Sequence, residues 1–110
     1  MDDLECLAAF FDAENRRDWE AYRAFLHPEV EWELRQPDGR VELIRGPEEY
    51  MARIQAAYAG WDGRFRCEAA QVERDGQVAV RLVNDRGEVS RERFRLRDGL
   101  VWRETEYLEG

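Results

Sequence analysis

Leu4, Leu7, Ala8 and Phe11 fall at the i, i+3, i+4, i+7 spacing that gives a helix one apolar face, and Asp2 and Asp3 ahead of them supply capping oxygens. The pattern predicts a first helix to about Asn15. A second, short helix opens at Asp18 and carries Trp19, Tyr22, Phe25 and Leu26. It stops before Pro28, because the residue preceding a proline is pushed out of the helical region. The period then changes to two. Val30, Trp32 and Leu34 alternate with Glu31 and Glu33, the mark of a half-buried strand, and Asp38-Gly39 turns the chain into a second strand ending near Ile44. Gly46, Pro47, Glu48 and Glu49 open a third helix, with proline at its first position, acids facing its positive end, and Met51, Ile54 and Tyr58 as its apolar face. After Trp61-Asp62-Gly63 only strand patterns remain, near 64–74, 77–84, 88–97 and 100–108. Residues 1–110 read as one α+β domain, three helices lying on one face of a curved antiparallel sheet.

Turn chemistry predicts register. Asp98-Gly99 is the signature of a two-residue type I′ hairpin, which pairs Arg97 with Leu100. Carried along both strands, this alignment sets Arg93 opposite Glu104, Arg91 opposite Glu106 and Arg95 opposite Trp102 on one face. Leu96 with Val101, Phe94 with Arg103, Glu92 with Thr105 and Ser90 with Tyr107 occupy the other. The preceding Asp85-Arg86-Gly87 reads as a three-residue loop with glycine in the left-handed position, pairing Asn84 with Glu88, Val80 with Glu92 and Val78 with Phe94. Both turns put Glu92 on the apolar, helix-covered face, with Arg103 and Tyr107 on the next strand.

A buried carboxyl must be paired or protonated. Apolar surroundings raise its pKa and a close Arg103 lowers it, so Glu92 reads either as a pocket acid or as half of a diagonal ion pair with Arg103 at the open end of the sheet. The arginines at 91, 93, 95 and 97 form a solvated outer row or a dimer interface. His27, beside Pro28, has no nucleophile near it that would make a triad. Glu29, Glu31, Glu33 and Glu42 read as the exposed side of strands, where carboxylates at this density could hold a divalent cation weakly, and no metal site is expected.

Composition narrows the partners. The chain has 110 residues, 44% hydrophobic, enough for one core, with 25 acidic against 17 basic residues and a net charge of -8. Every basic residue is an arginine. A net negative surface repels phosphate, which argues against nucleic acid and anionic membranes as partners. Cys6 and Cys67 form no metal-ligand spacing, and the acidic start MDDLECLAAFF is unlike a secretory leader. The expectation is a cytoplasmic protein with reduced cysteines and no cofactor.

The runs "FFDAENRRDWEAYRAFLHPEVEWEL", "RGPEEYMARI" and "RFRLRDGLVWRETEYLE" resemble the SnoaL-like branch of the NTF2-like superfamily, which includes polyketide cyclases and ketosteroid isomerase relatives. The resemblance spans nearly the whole chain. It implies a cone-shaped barrel enclosing an apolar pocket, often dimeric through the outer face of the sheet. The isomerase tyrosine of the first helix falls on Phe10 or Phe11 and the proton-shuttling aspartate near Leu34, which leaves Glu92 as the acid. Two functions follow. One is an enzyme acting on a small apolar molecule with a carbonyl or hydroxyl, with Glu92 as acid/base, Arg103 or Tyr107 stabilising negative charge, and Trp19, Trp32, Phe65, Val80 and Phe94 shaping the pocket. The other is a non-catalytic ligand-binding or dimerisation module.

Overall fold

A computed structural model describes residues 1–108. The elements are α1 (Asp3–Asn15), α2 (Trp19–Ala24), β1 (Leu26–Arg35), β2 (Val41–Arg45), α3 (Pro47–Tyr58), β3 (Phe65–Val72), β4 (Val78–Asn84), β5 (Val89–Arg97) and β6 (Leu100–Leu108). Asp2 caps α1 by accepting from the Glu5 N–H, and Asp18 caps α2 by accepting from the Ala21 N–H. Strand β1 begins four residues before the predicted Val30, because α2 ends at Ala24 and the Val101 N–H donates to the Phe25 carbonyl at 2.7 Å, drawing the chain onto β6.

The strands form one sheet in the order β2-β1-β6-β5-β4-β3. It is mixed rather than antiparallel throughout, since β1 runs parallel to β6 while the other four ladders are antiparallel. A parallel pair needs a long crossover, and here everything between Arg35 and Leu100 supplies it. The three helices pack on one face, where Phe10, Tyr22, Val30, Tyr50, Val78, Phe94 and Val101 are fully buried. Phe10 and Tyr22 stack with centroids 4.2 Å apart, joining α1 to α2 at the centre of the core. Among the described residues no helix is long and apolar enough to cross a membrane.

The β4–β5 register is as the turn predicts: the Asn84 N–H donates to the Glu88 carbonyl at 3.0 Å, and Val80 pairs with Glu92 and Val78 with Phe94. The β5–β6 register departs from expectation after two pairs. Asp98 (φ 55) and Gly99 (φ 75) make the tight turn, and Arg97 meets Leu100 and Leu96 meets Val101. Trp102 is then an extra residue on β6. Beyond this bulge Arg95 faces Arg103, Phe94 faces Glu104, Arg93 faces Thr105, Glu92 faces Glu106 and Arg91 faces Tyr107. The cross-strand pairs expected for Arg91, Arg93 and Arg95 are therefore replaced. The bulge keeps Val101 in the core at 1% exposure and swings Trp102 and Arg103 outward together. From that point every β6 side chain exchanges faces relative to the simple alignment.

Candidate functional site: a cavity floored by glutamates

Glu92 points inward because it is paired with Val80 on a core strand, and it is 7% exposed. The bulge brings Glu104, 5% exposed, and the largely buried Glu106 to the same face. One carboxylate oxygen from each of the three lies within 4.8 Å of the others. The Tyr50 hydroxyl on α3 donates to Glu104, and the Tyr22 hydroxyl on α2 lies 3.3 Å from that of Tyr50. A fourth acid comes from the opposite side. Glu14 follows Leu7, Phe10 and Phe11 by seven, four and three residues, so it shares the apolar face of α1, and its carboxyl accepts from the Tyr58 hydroxyl.

These groups line a cavity of about 370 Å³, walled by Phe10, Phe11, Trp32, Tyr58, Trp61 and Phe65 among others. One wall is braced. Tyr58 and Trp61 stack with planes 4° apart, and the Arg17 guanidinium lies 4.0 Å over Tyr58 while donating to the carbonyls of Gly63 (2.6 Å) and Trp61 (3.1 Å).

Burial is the dominant cause of every carboxyl shift here. It pushes Glu92 well above the usual range, reinforced by the charges of Glu104 and Glu106 and by a hydrogen bond to Glu104. Glu104 is raised by burial too, but hydrogen bonds from Glu92 and Tyr50 favour its anion. Glu92 therefore holds the proton and Glu104 is the first of this pair to ionise. Glu106 is pushed up to about 8, by burial first and then by the charges of Glu104 and Glu14. Glu14 is raised to about 7, burial outweighing the Tyr58 hydrogen bond. Tyr22 and Tyr50, raised by burial and by Glu14 and Glu104 respectively, remain protonated donors.

Of the residues singled out in the sequence, Glu92, Trp32 and Phe65 line the cavity. Val80 and Phe94 are core residues packed beneath it, and Trp19 packs on Tyr22 and Tyr58 away from it. Arg103 and Tyr107 lie on the other face. Arg103 sits 4.1 Å over Trp102, 3.6 Å from Glu31, and donates to the Glu29 carbonyl; Tyr107 lies under Arg35 and Arg93. No Glu92–Arg103 ion pair forms, because the bulge separates the two across the sheet. The residues that sequence reasoning missed are Glu14, Tyr50, Glu104 and Glu106. Helical spacing could have found Glu14; the other acids depended on the bulge. The three sheet carboxylates are close enough to bridge a hard divalent cation, although Tyr50 and the Glu92 proton already engage Glu104.

The sequence profile of the SnoaL-like domain matches residues 7–104. Among curated proteins no match is found. Solved structures are similar over almost the whole chain. A protein from Kribbella flavida, provisionally named a ketosteroid isomerase, is 26% identical, with 96% of this chain and 76% of that one covered and a TM-score of 0.79. A SnoaL-like protein of unknown function from Burkholderia thailandensis is 22% identical, with 97% and 94% covered and a TM-score of 0.80. Rv0760c from Mycobacterium tuberculosis, in complex with estradiol-17β-hemisuccinate, is 21% identical, with 96% and 92% covered and a TM-score of 0.76.

Proposed function

The chain belongs to the SnoaL-like family, and from that premise we propose that its cavity takes up a small, mainly apolar molecule bearing a carbonyl or hydroxyl and moves a proton on it. The observation that carries this reading is the convergence of Glu92, Glu104 and Glu106 beneath an aromatic-walled cavity. Glu106, neutral at pH 7, donates a hydrogen bond to the ligand oxygen. The Glu92–Glu104 pair, fixed by Tyr50, accepts a proton from the neighbouring carbon and returns it. Glu14, near 7, has the acidity that general acid–base catalysis favours near neutrality. The steroid ester held by Rv0760c supports a ligand of this general kind. The Glu92 role assigned from the sequence is thus shared among a cluster, and Arg103 and Tyr107 have no part in it.

The test is hydrogen–deuterium exchange in D2O at the carbon beside the carbonyl of cyclic enones and β-diketones, followed by NMR. The parent protein is expected to accelerate exchange, and Glu92→Gln and Glu106→Gln each to slow it by roughly 10²-fold or more. Binding without exchange would leave a non-catalytic ligand module. A second copy of the chain is proposed as the occupant of the outer sheet face, where the buried Trp102 Nε1–H has no partner among the described residues. Arg93→Glu is then expected to turn dimer into monomer in sedimentation, and a monomeric parent removes the idea.

A further inference from the structure

Building on that cavity reading, we infer that the molecule it takes carries a basic nitrogen, protonated at neutral pH, a few bonds from a hydroxyl or carbonyl oxygen. Glu92, Glu104 and Glu106 open onto the cavity from the sheet and Glu14 from α1. Against these four acids and Glu88, Arg53 is the one cationic side chain among the described lining residues, and it is committed to both oxygens of Glu42. Arg17, over the Tyr58 ring, spends its N–H groups on the carbonyls of Glu14, Asn15, Trp61 and Gly63. Arg53 and Arg17 offset Glu106 and Glu14 only in part, so the site concentrates acid in excess of its protein counter-charge. With that excess the carboxyls hold protons, and an ammonium group on the ligand supplies the missing positive charge instead.

Trp32 adds a second feature that a ligand would complete. It is 5% exposed and lines the cavity, and its Nε1–H has no hydrogen-bond partner among the described residues. The indole lies near enough to Glu106 to favour its anion, which places the N–H on the acidic side of the cavity. Glu106 is near this donor but outside hydrogen-bonding geometry, and an oxygen on the ligand completes the bond. A purely anionic ligand meets like charge. A bare divalent ion leaves both the aromatic walls and this N–H unused.

The experiment is isothermal titration at about pH 7.5 with a naphthyl amino alcohol, the alcohol lacking its nitrogen, and the amine lacking its hydroxyl. The amino alcohol is expected to bind about tenfold or more tighter than the alcohol. Glu106→Gln removes that margin, because it removes the carboxyl that would pair with the nitrogen, with Glu14→Gln as an independent second variant. Trp32→Phe removes the margin of the amino alcohol over the amine. Equal affinity for amino alcohol and alcohol overturns the nitrogen inference and leaves the cavity reading standing. Failure of every naphthyl compound to bind at millimolar concentration overturns both. Stabilisation by manganese(II) alone, lost in Glu106→Gln, with no amine binding, makes this a metal site and overturns the inference.

Discussion

The two faces of the β5–β6 hairpin carry the same residue types in opposite circumstances. Outside, Arg93 pairs with Glu73 at 2.8 Å, Arg95 with Asp75 at 3.4 Å, and Arg97 lies 5.2 Å over Trp102. The Arg93 and Glu73 side chains are 43% and 32% exposed, so water screens the pair and its worth is ~0–1 kcal/mol. Inside, three glutamates share one patch, and burial raises the pKa of each despite the charge of Arg53 near Glu106. Access to water, more than the sign of the neighbouring charge, decides what each carboxyl does. Chemistry is concentrated where that access is lost.

The sharpest way to break this contrast is to truncate adjacent residues of β5 that face opposite ways. Phe94→Ala empties a site of 0% exposure and is expected to cost ~3–5 kcal/mol in urea unfolding, whereas Arg93→Ala costs less than ~1 kcal/mol. Similar losses would mean that the two faces do not differ as described. Next comes pH. Glu14 and Glu106 have folded-state pKa values of about 7 and about 8, above their ordinary values, so the folded state binds more protons than the unfolded chain between pH 4.5 and 8. Their contribution is fully present below the ordinary carboxyl pKa and is lost as pH rises through the folded values. Stability therefore falls from pH 5 to pH 8, and Glu106→Gln flattens the fall, gaining on the order of 2–4 kcal/mol at pH 8. A pH-independent stability over that range would contradict the buried cluster. Smaller again is Tyr50→Phe, which deletes a buried donor to Glu104 and is expected to cost ~1–3 kcal/mol at pH 7; no loss would show that Glu104 does not depend on it.

How far the sequence revealed this differs by element. The helices were legible because their caps and apolar spacing are local, and so was the β4–β5 register, because Gly87 fixes a loop that leaves only one pairing for Asn84. The inward direction of Glu92 followed from that ladder alone. Glu104 and Glu106 were not legible, since the bulge at Trp102 needs no glycine and leaves no compositional trace. Either alignment of β6 buries Val101 together with polar residues, so hydrophobic alternation could not choose between them. The parallel β1–β6 ladder was hidden for a related reason: it joins segments far apart in the chain, and no turn announces it. Glu14 was different. Its spacing placed it on the buried face of α1, but an acid there reads as the helix running out into solvent unless a partner such as Tyr58 is known.

The smallest effect tests the outer half of the contrast most directly. A double-mutant cycle on Arg93 and Glu73 isolates their pairing from everything else each side chain does. The coupling is expected to be ~0–1 kcal/mol at low salt and to shrink further in about 0.5 M NaCl, where the screening length falls below the separation of most surface charges. The pH-dependent loss attributed to Glu14 and Glu106 should survive the same salt, because its leading cause is removal of water from the carboxyls and not attraction or repulsion across solvent. A coupling well above 1 kcal/mol that persists in salt would place the arginine row in a desolvated environment. That would make the outer face, as well as the inner one, a buried surface in the working protein.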